Sequence, residues 1–152
     1  MVNEWRRVSR LVGAARSDVW AQVSDPVCLA EFLAGPGCRI VEVPARMAVG
    51  ARICANVTLF STIHTIDAVV VEMTAPTSLR MTGSGFAGTD LTATMSIVSE
   101  GSAWSLITIH TYVSARDLTP TAAATIEQAV TDRLGLGLDR LAHRFSPKAC
   151  SR

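Results

Sequence analysis

From Cys38 to Ala115 polar and apolar residues alternate, and the alternation holds for about eighty residues. A helix repeats its faces every 3.6 residues and cannot use such a pattern, whereas a strand that turns successive side chains to opposite faces can. Turn residues cut the run into six expected strands, Arg39 to Val43, Arg52 to Phe60, Thr62 to Met73, Ser78 to Ser84, Asp90 to Ser99 and Ala103 to Ala115. The breaks are Pro44 to Gly50, the neighbourhood of Ser61, Ala75-Pro76-Thr77, Gly85 to Gly88 and Gly101-Ser102. Connections this short join neighbouring strands antiparallel, so the run predicts a meander.

Such a sheet has one face too apolar for water, and the stretch after it supplies a cover. From Thr119 to Phe145 the residues Ile126, Val130, Leu134, Leu138, Leu141 and Phe145 recur at spacings of three and four, the stripe of a long amphipathic helix. Thr119 is a suitable cap residue, and Pro120 occupies the first helical position, where its missing N–H costs nothing. Gly135 and Gly137 interrupt the stripe and imply a bend, a close backbone contact or room left open. Ahead of the meander, Trp5 to Val12 reads as a first strand ended by Gly13. Ser17 can cap a helix over Asp18 to Val23, and Asp25-Pro26 ends it and starts another over Val27 to Leu33, closed by Gly35-Pro36-Gly37. One strand, two helices, six strands and one long helix predict an α+β fold: a strongly curved seven-stranded antiparallel sheet wrapped around the C-terminal helix. A curved sheet and a single helix leave space between them, and a pocket of that kind suits an apolar ligand.

The chain's 152 residues, 49% of them hydrophobic, are expected to form a single domain over 1–152. Fourteen basic and thirteen acidic residues leave a formal charge of +1, with no basic stripe for nucleic acid. No apolar run approaches the ~20 residues of a membrane span and the amino terminus lacks a signal-peptide core, so a cytoplasmic protein without a transmembrane segment is expected. Cys28, Cys38, Cys54 and Cys150 have neither CxxC nor metal-ligand spacing and read as reduced thiols. No phosphate loop, dinucleotide fingerprint, nucleophile elbow or zinc spacing is present, and no cofactor or metal is expected.

Several segments resemble a family. Asp18-Val19-Trp20 before Asp25-Pro26, the strand-to-turn segment Val71 to Pro76, and Gly88-Thr89-Asp90-Leu91-Thr92 look like the helix-grip superfamily. That superfamily includes START lipid-transfer domains, polyketide aromatase/cyclases and the birch-pollen allergen fold. Leu29 to Cys38 and Met81 to Phe86 are also similar to the members associated with carbon monoxide dehydrogenase, although Leu33-Ala34-Gly35 precedes Pro36 where a leucine-proline context is usual. The resemblance covers nearly the whole chain. It implies a hydrophobic ligand cavity and no particular reaction, because members include both enzymes and carriers.

In the last strand Trp104, Leu106, Thr108, His110 and Tyr112 share one face, and Ser105, Ile107, Ile109, Thr111 and Val113 share the other. The first set combines apolar bodies with polar tips and is expected to line the cavity, with His110 able to move a proton and Tyr112 able to donate to an oxyanion. In the fourth strand His64 and Asp67 fall on opposite faces, and Asp67, in the more apolar set, is the expected cavity acid or base. Asn56 and Arg80 are candidate anchors for a ligand carbonyl. Met95, Leu134 and Leu138 complete the expected lining. Three readings follow. The leading one is a polyketide cyclase or dehydratase that binds its substrate in the cavity and uses His110, Tyr112 or Asp67, and its alternative is a non-catalytic carrier of a lipid, quinone or similar hydrophobic molecule. A third is an interaction protein, a homodimer covering Ile107, Ile109 and Val113.

Overall fold

The computed structural model describes residues 5–35, 37–59, 61–85 and 88–145. Pro36, the Phe60 end of the expected third strand, Phe86 and Ala87 of the expected turn, and Cys150 lie outside the described residues. The elements are β1 (Arg6–Val12), α1 (Arg16–Val23), α2 (Pro26–Leu33), β2 (Cys38–Glu42), β3 (Arg52–Leu59), β4 (Thr62–Thr74), β5 (Ser78–Ser84), β6 (Thr89–Ser99), β7 (Ser105–Ala115) and α3 (Pro120–Arg144). Their order is the expected one. All seven strands form one antiparallel sheet in the order β1-β7-β6-β5-β4-β3-β2.

Two helix starts follow from their cap residues. Asp25 accepts the Cys28 amide at 3.0 Å ahead of Pro26, and Thr119 Oγ1 accepts the Ala122 amide at 3.1 Å ahead of Pro120. α1 departs from expectation: it begins at Arg16 behind Ala15, without a side-chain cap, and Ser17 lies inside it. Its position is set by packing, since Val19 and Val23 are buried almost completely.

The pairing register sorts the sheet into two faces. One carries the row Val8–Ile109–Met95–Leu79 and, beside it, Ile107 and Ile97. These join Leu134, Leu138 and Leu141 of α3 in the hydrophobic core. The opposite face carries Arg7–His110–Thr94–Arg80 and Ser9–Thr108–Ser96–Ser78, rows dominated by polar side chains. Ile107, Ile109 and Val113 are therefore core residues, and the surface patch from which a dimer is expected does not exist.

Ion pairs fix α3 across β1. Arg6 meets the nearly buried carboxylate of Glu127 at 3.2 Å, and Arg10 donates to Asp139 at 2.6 Å. Gly137 accounts for one interruption of the helical stripe: a Cβ there would lie 2.7 Å from the Phe32 carbonyl oxygen and 3.2 Å from its ring, so α2 and α3 touch backbone to backbone. Arg140 donates to the Phe32 carbonyl at 3.2 Å and to that of the C-cap residue Ala34, satisfying two of the carbonyls at the end of α2.

Candidate functional site

The core fills only one end of the space between sheet and helix. At the other end a register row crosses five strands as Ile53–Ala68–Gly83–Leu91–Val113, and the neighbouring pairs are Ala55–Ile66 and Met81–Ala93. Alanines and a glycine stand where the filled end has Met95, Ile97 and Leu79. The helix side repeats the economy with Ala129 between Ile126 and Val130. Small residues facing small residues leave a cavity of about 290 Å³, bounded on the helix side by Ile126 to Leu134. That volume lies near the lower edge of the roughly 300–1,000 Å³ usual for small-molecule sites.

Two polar groups on its wall stand out. Arg133 of α3 is the only charged residue among the described residues that line the cavity. Its guanidinium rests on the turn between α2 and β2: a Cβ at Gly35 would come within 2.8 Å of Nη1, and one at Gly37 within 3.6 Å of Nη2. The two glycines make the room for it. Next to them, burial pushes the Cys38 thiol up from its ordinary value, while the charges of Arg133 and Arg140 pull the other way. Thr89 opens β6 and is 7% exposed, and its Oγ1 has no hydrogen-bond partner among the described residues. Buried hydroxyls are ordinarily paired.

No protein-family model matches the chain, and no curated protein sequence matches it. Solved structures do. A START superfamily protein from Mycobacterium smegmatis superposes with a TM-score of 0.70 at 14% identity, over 93% of this chain and 99% of that one. The chain has the helix-grip fold. Norcoclaurine synthase from Thalictrum flavum, in complex with dopamine and hydroxybenzaldehyde, is similar to the same extent, with a TM-score of 0.70 at 16% identity over 99% of this chain and 90% of that one. A protein in the dynemicin biosynthetic locus matches with a TM-score of 0.58 at 20% identity, over 89% of this chain but 47% of its own length.

Within the helix-grip sheet most of the sequence-predicted site residues lie on the face away from α3. Leu106, Thr108, His110 and Tyr112 alternate with the buried set and point outward; Trp104 precedes β7 and is exposed. Thr108 shares a 3.0 Å hydrogen bond with Ser9, and the Tyr112 ring lies 5.3 Å from that of Trp5. Asp67 is exposed too, 3.9 Å from Arg52; Asn56 accepts from Thr65 at 3.1 Å; Arg80 donates to Thr94 at 3.2 Å and lies 3.9 Å from Glu72. The expectation that this face lines the cavity is thus reversed. Polar tips find water and one another on the outer face, whereas the helix side requires the aliphatic set. His64 and Asp67 lie on opposite faces as expected, but it is the His64 set, with Ile66 and Ala68, that turns toward α3. Leu134 lines the cavity, while Met95 and Leu138 are packed into the filled core.

Arg133 and Thr89 are among the wall residues that sequence reasoning misses, as are Ile53, Ala68, Leu91 and Val113. Arg133 follows Val130 by three and Ile126 by seven, a charge at an apolar-stripe position, and that spacing is the available signal. Thr89 carries none, since a threonine at a strand start is ordinary.

Proposed function

We propose that the protein binds one small, mostly apolar molecule in the cavity between the sheet and α3, and holds or transfers it without changing it. The supporting observation is the cavity: about 290 Å³ of space, walled by aliphatic side chains, in a molecule whose other end is closely filled. Apolar space of this size is costly to leave empty, since each missing contact forfeits packing energy, so a ligand is its natural occupant. A lipid fragment, a quinone ring or a polyketide-like intermediate all suit such walls.

A cyclase or dehydratase acting on a polyketide-like intermediate is the second reading, favoured by the likeness to the dynemicin-locus protein. Its chemistry would have to draw on groups that face the cavity, because His110, Tyr112 and Asp67 face away from it.

Native mass spectrometry of protein purified from its own host, followed by denaturation and identification of what is released, tests the proposal. One unaltered apolar molecule per chain supports binding and transfer. A cyclised aromatic product in its place would move the assignment to the enzyme, and protein that stays empty when offered hydrophobic probes would sink both.

A further inference from the structure

We infer that Met81 closes the deep end of the cavity and sets how long an apolar chain the protein accepts. The inference rests on the binding reading above and adds a rule of ligand length to it. Hollow and filled ends meet along one line across the sheet. On β5 the cavity lining stops at Met81, and Leu79, the next inward residue, is buried in the core. On β6 it stops at Ala93, ahead of buried Met95, and on β4 at Ala68, ahead of buried Val70. On α3 it stops at Leu134, one turn before Leu138. Met81 pairs with Ala93 on one side and Val70 on the other. Between the alanines that end the lining on β4 and β6, it is the long side chain that fills the step. It is half-buried where Leu79, Val70 and Met95 behind it are buried, as a side chain with core on one side and open space on the other must be. The boundary is also chemically distinct. Met73 and Met95 flank Leu79 directly behind Met81, so three of the chain's five methionines gather where cavity meets core. Methionine is unbranched and fits irregular space by rotation, unlike the branched residues of the walls. A chain entering the cavity gains burial with each methylene until its end meets this floor; a further carbon must then displace packed core or stay in water.

Straight-chain 1-alkanols from pentanol to dodecanol, competing with the fluorescent probe N-phenyl-1-naphthylamine, measure that limit. In the wild type, affinity should rise about fourfold with each methylene and then level off at one chain length. Met81→Ala removes the side chain beyond Cβ and should move that length up by about two or three carbons. Ala93→Leu fills the step beside Met81 and should move it down by about as much, while Met81→Leu, of similar volume, should leave it in place. Affinity that climbs through the whole series in the wild type would overturn the inference and leave the binding reading intact. So would a limit unmoved by Met81→Ala in protein that still binds the short alkanols. If Met81→Ala binds no alkanol because its fold is lost, Ala93→Leu decides: a shorter limit supports the inference, and an unchanged one overturns it. Wild-type protein that binds neither the probe nor any alkanol would overturn the binding reading and the inference with it. Binding that persists undiminished when Ala129→Phe fills the cavity would do the same.

Discussion

At Thr89 and Gly137 a single atom sets a measurable share of the fold's stability. An unpaired buried hydroxyl costs roughly 1–3 kcal/mol, and Thr89 Oγ1 has no partner among the described residues. Thr89→Val keeps the shape and removes the hydroxyl, so the protein should become more stable by about 1 kcal/mol in chemical denaturation. At Gly137, alanine would favour the helix by about 1 kcal/mol, but its Cβ would meet the Phe32 carbonyl at 2.7 Å. Backbone cannot yield cheaply there, so Gly137→Ala should lower stability by about 1–2 kcal/mol net, measured the same way. Cys38 adds a pH dependence. Its thiol ionises at a higher pH in the fold than its ordinary value of 9.0, because burial disfavours the thiolate. The unfolded chain therefore loses that proton first, and the contribution is intact below about pH 9 and lost as pH climbs toward the raised value. Thermal melts of Cys38→Ala should accordingly fall less steeply than wild type above about pH 9.

At the scale of elements, α3 is joined to β1 by charge as well as by packing. Glu127 is nearly buried and depends on Arg6, so Arg6→Met leaves a carboxylate without its counter-ion and should cost about 2 kcal/mol. Adding Glu127→Leu should return most of that loss, and a double-mutant cycle measures the coupling. The elements themselves are legible in the sequence because each rests on a short-range signal. Period two sets the strands, Thr119-Pro120 and Asp25-Pro26 set two helix starts, and the apolar stripe sets α3. The site is less legible. Which face of a strand turns inward depends on what lies across from it, and neither the His110 set nor the Ile107 set contains that information by itself. Mixed polarity on β7 suits a binding surface and a solvent face equally well; here it marks the solvent face, and Asp67 on β4 goes outward for the same reason. Alternation fixes a register only up to the choice of side; the partner element makes that choice.

For the molecule as a whole, the sheet is divided along its length into a filled end and a hollow end, and the division follows side-chain size across paired strands. A ligand that enters the hollow end binds the folded state alone, so it should raise the midpoint of thermal unfolding in proportion to the logarithm of its concentration, by about 2.7 kcal/mol of stability at a hundred times its dissociation constant. The pairing of β1 with β7 sets a different condition, one of timing. Arg6 has Thr111 as its strand partner and Glu127, 121 positions downstream, as its counter-ion, so β1 leaves the ribosome long before either exists. During synthesis β1 has no edge to join and α3 has not yet been translated to cover the sheet, so the apolar face of the sheet stays uncovered until β7 and α3 arrive.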